Sequence, residues 1–123
     1  TQRRDLMNAE NSFSQQAQKI GLGNAFAAYG LPDAVNMGGP ASPAFVVGAS
    51  TIAKSIGGDD MTASTVNWGA DTAFVASSGD LGITFGVIRA NKPPAGSDPA
   101  AGSPFFTIWR RANVQSPWRY VAE

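Results

Sequence analysis

Tyr29, Asp33 and the adjacent Arg110 and Arg111 are the side chains whose types and positions offer chemistry. Asp33 follows Pro32 at the end of a helical stretch, where a carboxylate facing a cavity mouth can act as a base; the alternative is a turn residue that bonds nearby amides. Tyr29 closes a short helix and can donate its hydroxyl to a ligand oxygen, or pack in the core with that hydroxyl at the rim. Arg110 and Arg111 are consecutive on a strand and so point to opposite faces. One of them can turn inward toward an acidic ligand or a buried carboxylate such as Asp33, the alternative being a solvated or interface arginine. An acid, a hydroxyl and a guanidinium on one site would suit lyase or isomerase chemistry on a carbonyl or acidic substrate.

The chain has neither cysteine nor histidine. That removes zinc sites built on those ligands, thiol nucleophiles, Ser-His-Asp triads and imidazole proton shuttles. Acid and base work is left to nine carboxylates, two tyrosines, lysine or the backbone. Asp59 and Asp60 read as a solvated loop and Gly79-Asp80 as a hairpin turn. No carboxylate cluster has metal-ligand spacing, and no cofactor is expected.

The 123 residues fit a single domain, residues 1–123, able to bury somewhat over ~60% of the unfolded surface. A zero formal net charge with 15% charged and 43% hydrophobic residues speaks against disorder and against a nucleic-acid partner. No apolar run reaches the ~20 residues of a membrane helix, so no membrane partner is expected. The chain begins at Thr1, which leaves localisation open between the cytoplasm and export after loss of a leader.

The elements that must position these residues follow from periodicity. Leu6, Ala9, Phe13, Ala17 and Ile20 recur at spacings of three and four, which predicts an amphipathic helix over 5–20 with one buried stripe. Asn24 is expected to cap a second helix ending at Tyr29, with Gly30 and Pro32 barring its continuation. A short strand is predicted over 33–37, then a loop through Gly38, Gly39, Pro40 and Pro43, then a helix over 50–56. The remaining half is strand-like: 62–68, 72–76, 81–89, 105–112 and 118–121, with a loop between Ala90 and Pro104. Helices first and strands afterwards make an α+β order. Within 81–89, Leu81, Ile83, Phe85 and Val87 form one face and Gly82, Thr84, Gly86 and Ile88 the other.

The segments Glu10-Asn-Ser-Phe13, GLGNAFAAYGLPD over 21–33, SGDLGITFG over 78–86 and FTIWRR over 106–111, with Trp118-Arg119 after them, occur in an order and spacing that resembles the SnoaL-like domains of the nuclear transport factor 2-like superfamily, specifically their large uncharacterised branch. The resemblance implies a cone: a strongly curved antiparallel sheet wrapped over a long first helix, enclosing an apolar cavity, in a homodimer packed through the sheet's outer face. It implies a cavity wall containing Phe13, Phe26, Trp68, Trp109 and Trp118, joined by Thr84, Gly86 and Thr107 if the small-residue face turns inward. Glycines there would leave ligand volume or let the sheet bend.

The superfamily includes a ketosteroid isomerase, a scytalone dehydratase, polyketide cyclases and proteins that only bind or assemble, so fold does not choose among them. Laid on the isomerase pattern, the oxyanion-hole tyrosine falls at Phe13, the general-base aspartate near Gly38 and the protonated aspartate near Thr107. None of these residues can supply the matching role. The cyclase and dehydratase mechanisms lack their histidine. The resulting expectation is a domain that binds a small apolar or acidic molecule through Phe13, Phe26, Tyr29, Trp68, Thr84, Thr107, Trp109 and Arg111. The alternatives are an enzyme using Tyr29 or Asp33, or a scaffold or dimerisation module.

Overall fold

The computed structural model describes residues 1–38, 44–98 and 101–123. In chain order it contains α1 (Gln2–Ile20), α2 (Leu22–Tyr29), β1 (Gly30–Asn36), β2 (Val46–Val47), α3 (Ala49–Gly57), β3 (Val66–Val75), β4 (Leu81–Ala90), β5 (Ser103–Arg110) and β6 (Arg119–Ala122). Among the described residues the strands form a six-stranded sheet in the order β2-β1-β6-β5-β4-β3. Every pairing is antiparallel except β1 with β6, which is parallel. The α+β, curved-sheet architecture agrees with the sequence reading, and the one parallel pair is an addition to it.

Helix α1 starts at Thr1, whose hydroxyl accepts from the Arg4 amide at 3.2 Å and so satisfies one of the first-turn donors. Its buried stripe is Leu6, Glu10, Phe13, Ser14 and Ala17. Ile20, expected on that stripe, is exposed instead. The helix lies along β3, the terminal strand of the sheet. Ser14 Oγ accepts from the Trp68 amide at 3.0 Å, Asn11 Oδ1 accepts from the Ala70 amide at 3.0 Å, and Gln18 Nε2 donates to the Val66 carbonyl at 3.0 Å. Side chains of α1 thus occupy polar groups that an edge strand would otherwise offer to another chain.

Helix α2 begins at Leu22, with Gly21 before it rather than with Asn24 as cap; the Asn24 side chain reaches back to the Ile20 carbonyl at 2.9 Å. Gly21 has φ 100, and a Cβ there would collide with the Met61 and Thr62 backbone. The predicted strands over 62–68 and 72–76 are one strand, β3, interrupted by a register shift between Ala70 and Thr72 that bends it. Residues 62–65 belong to the preceding turn, where Asp60 Oδ1 accepts from the Thr62 amide at 2.9 Å. Residues 39–43 of the predicted Gly-Pro loop, and 99–100 of the later loop, lie outside the described residues.

The two faces of β4 divide as their alternation predicts. Gly82, Thr84 and Gly86 are buried, whereas Leu81, Ile83, Phe85 and Val87 form the outer face. The glycines leave no ligand volume, however. A Cβ at Gly82 would meet Leu6 and the Phe74 carbonyl, and one at Gly86 would meet the Gly69 carbonyl and the Phe105 ring. These glycines admit the helix and the neighbouring strands to close approach.

Candidate functional site

Phe13 is fully buried and is the hub of the interior. Its ring centroid lies 4.8 Å from Phe26, 4.9 Å from Tyr29, 5.0 Å from Trp68, 5.8 Å from Tyr120 and 6.0 Å from Trp109. This part of the cone is solid. Beside it the sheet and the two short helices diverge around a cavity of about 160 Å³. Leu22 and Phe26 line it from α2, Ile56 from α3, and Val66 and Trp68 from β3. Ile88 on β4, Phe105 and Thr107 on β5, and Glu123 after β6 close it.

Two carboxyl groups sit at the junction between the packed and hollow parts. Glu10, fully buried, projects from α1 onto the sheet. Its Oε2 accepts from Trp68 Nε1 at 2.9 Å and its Oε1 from the Thr84 hydroxyl at 2.7 Å; that hydroxyl in turn accepts from Trp109 Nε1 at 3.0 Å. Burial pushes the Glu10 pKa up, because a charge is poorly solvated there, and the donors from Thr84, Trp68, Thr107 and Trp109 pull part of the way back. Glu123 is half-buried and borders the cavity. Its Oε2 takes a long 3.4 Å hydrogen bond from the Thr107 hydroxyl, and among the described residues none reaches its Oε1. Its pKa is pushed up to about 8, first by desolvation and then by the neighbouring Glu10 charge, with Thr107 opposing. Among the described residues, neither carboxyl is paired with a lysine or arginine. The buried Tyr120 hydroxyl, also raised in pKa by burial and by Glu123, donates to the Phe26 carbonyl at 2.6 Å and so serves the fold.

Of the residues the sequence singled out, Phe26, Trp68 and Thr107 line the cavity. Phe13, Thr84 and Trp109 lie in the packed core against it and do not reach its wall. Tyr29 stacks on Phe13 at an interplanar angle of 17° and has the Arg119 guanidinium 5.8 Å from its ring. Asp33 is not buried: its side chain is 76% exposed and makes a loose 3.8 Å ion pair with Arg110. Arg111 is buried but turns away from the cavity. Its Nε donates to the Gly79 carbonyl at 2.7 Å and its guanidinium lies 4.1 Å above the Trp118 ring, which pins the β3–β4 turn to the end of the chain. Trp118 is likewise committed to that contact and does not border the cavity. Gly38 bonds the Asn36 side chain at 2.7 Å in a turn.

Neither Glu10, quoted above only within a resembling segment, nor Glu123 is among the candidate site residues of the sequence. The first left one signal: it stands four residues after Leu6 and three before Phe13, inside the apolar stripe of α1. Glu123 left none, since its place depends on β6 lying between β1 and β5. Among the described residues no group of three histidine, cysteine or acidic side chains is arranged to hold a metal, and no helix is long and apolar enough to cross a membrane.

No family model and no curated protein sequence matches the chain. Solved structures do. A ketosteroid isomerase-like protein from Erwinia carotovora atroseptica is similar over 94% of this chain and 88% of its own, with a TM-score of 0.60 at 16% identity. A Mycobacterium tuberculosis protein solved with estradiol-17β-hemisuccinate is similar over 94% and 88%, with a TM-score of 0.57 at 13% identity. A nuclear transport factor 2-like protein with a cystatin-like fold from Novosphingobium aromaticivorans is similar over 97% and 77%, with a TM-score of 0.57 at 16% identity. The chain therefore has the nuclear transport factor 2-like, cystatin-like fold expected of a SnoaL-like domain.

Proposed function

We propose that residues 1–123 act as one small-molecule-binding domain whose ligand occupies the cavity between α2, α3 and the sheet. The observation that carries this reading is the wall itself: apolar and aromatic side chains with only Thr107 and Glu123 to offer polar contact, the usual make-up of a ligand pocket. An apolar cavity of about 150 Å³ accepts a benzene molecule, so a compact, single-ring ligand fits the 160 Å³ present here. A steroid like that bound by the mycobacterial neighbour would need the cavity to open. The acidic ligand considered from sequence loses its support, because Arg111 is elsewhere and the charged group at the wall is itself an acid.

Thermal-shift measurements with single-ring apolar compounds test the reading. Stabilisation by such compounds, abolished by the cavity-filling substitution Ile88→Trp, is the expected result. Ligands that leave the melting temperature unchanged, or that stabilise Ile88→Trp equally, would overturn it.

The partner surface belongs to the same proposal. Phe74, Phe85 and Phe106 run across β3, β4 and β5 on the outer face with centroid spacings of 5.9 and 6.1 Å, and Phe74 and Phe106 are 67% and 49% exposed. A contiguous aromatic stripe of this kind suits a homodimer interface. Sedimentation should find a dimer that Phe106→Lys converts to monomer.

A second reading, proton transfer on the bound molecule, rests on Glu123 rather than on Tyr29 or Asp33. A carboxyl with a pKa near 8 at a cavity wall is poised to exchange a proton at neutral pH. Turnover that survives Glu123→Gln would remove that reading and leave binding alone.

A further inference from the structure

Any molecule filling the cavity must set some group against Glu123, whose Oε1 takes no hydrogen bond from the described residues. Three features of the surroundings bear on what that group is. A second carboxyl, Glu10, lies close enough to raise the Glu123 pKa, and among the described residues no basic side chain pairs with either. Close to Glu123 are also the Tyr120 hydroxyl from β6, already bonded to Phe26, and the Thr107 hydroxyl from β5. The walls supplied by α2, α3, β3 and β4 carry no titratable group and include Phe26 and Trp68.

We propose that this cavity takes a small organic ammonium ion, an amine with an apolar body of about one ring, its nitrogen set between the Glu123 carboxylate and the Thr107 hydroxyl. The inference rests on the cavity being a binding site at all. An ammonium group brings three donors to oxygens that lack them. It supplies the positive charge that two neighbouring carboxyls otherwise do without, and aromatic side chains favour a cation over a neutral group. A carboxylate ligand would instead meet like charge.

Isothermal titration of the unmodified protein with benzylamine, benzyl alcohol and benzoate tests this with ligands of one shape and three charges. An alkylamine keeps its proton across neutral pH as lysine does, so its binding requires ionised Glu123 and releases one proton. Benzylamine is expected to bind at least about tenfold more tightly than benzyl alcohol near pH 8, weakening by roughly tenfold per pH unit below that. Benzoate should bind no better than the alcohol. Glu123→Gln should remove the amine's advantage over benzyl alcohol and its pH dependence, the two ligands being compared within the same variant. If the alcohol binds as well as the amine with a flat pH profile, the cationic ligand is wrong and the cavity reading stands. If none of the three binds, the cavity reading fails and this inference falls with it.

Discussion

Glu10 and Glu123 bring the same chemical group to neighbouring points of one interior, yet their surroundings assign them opposite work. Around Glu10 each oxygen has a close donor, from Trp68 and from Thr84, and the Thr84 hydroxyl is itself held by Trp109. Nothing is left for a ligand to satisfy, and the carboxylate ties α1 to β3, β4 and β5. Around Glu123 there is one 3.4 Å contact on one oxygen and a cavity at its side. Buried polar groups are normally paired, and the fully coordinated acid is part of the scaffold; the acid with an oxygen open to the cavity is the group that the proposed ligand would meet.

Deleting each side chain in turn should separate the two most widely. Glu10→Ala leaves the Trp68 and Thr84 donors without acceptors and opens a void against Phe13, so a loss of about 3 kcal/mol is expected in urea unfolding. Glu123→Ala should cost no stability at neutral pH and is expected to raise it, since it removes a group whose raised folded-state pKa weakens the fold above pH 4.5. Equal losses at the two positions would erase the distinction.

A pH series applies a smaller perturbation to the same contrast. Glu123 holds its proton in the folded state up to about pH 8, whereas the unfolded chain releases it near 4.5. Between those values the folded state binds more protons, so stability is fully present below pH 4.5 and is lost as pH rises toward 8. The raised Glu10 pKa acts with the same sign. Asp60, lowered by its hydrogen bonds from Thr62, acts oppositely but only below its ordinary value of 3.8. The melting temperature should therefore fall by roughly 5 °C or more between pH 5 and pH 8, and Glu123→Gln should flatten most of that fall. A slope that survives Glu123→Gln would move the effect to Glu10.

Much of the scaffold was legible in the sequence because it depends on local periodicity. The alternation in Leu81–Arg89 correctly separated an outer face from a small-residue inner face, and the three-and-four spacing found α1. What periodicity treats as polar spacer it cannot place in a core, so in sequence Glu10 reads as surface and Ile20 as part of the stripe. Long-range pairing was equally out of reach. The parallel β1–β6 contact, made close because Gly30 lets the Tyr120 ring cross it, is what sets Glu123 at the cavity. Arg111 had the right burial and the wrong destination: alternation on a strand says which face a side chain takes, and the contact with Gly79 and Trp118 was visible only in three dimensions.

The finest division of the site lies in its two threonines, alike in sequence context and both fully buried. Thr84 bonds the coordinated carboxyl, whereas Thr107 bonds the open one and also helps hold the Glu10 pKa down, so replacing each with isosteric valine tests the two hydroxyls with little change in volume. Thr84→Val removes a donor from Glu10 and an acceptor from Trp109, leaving buried groups unpaired at an expected cost of about 2 kcal/mol. Thr107→Val removes a 3.4 Å contact, for which about 0.5 kcal/mol or less is expected. It should nevertheless show in titration, because Thr107 is the group holding the Glu123 pKa down. Its loss should move the midpoint of the Glu123 carboxyl, followed by carbon-detected NMR, further above 8. A midpoint that stays in place or falls would mean that the Thr107 hydroxyl does not serve Glu123, and the open side of the comparison would rest on the cavity alone.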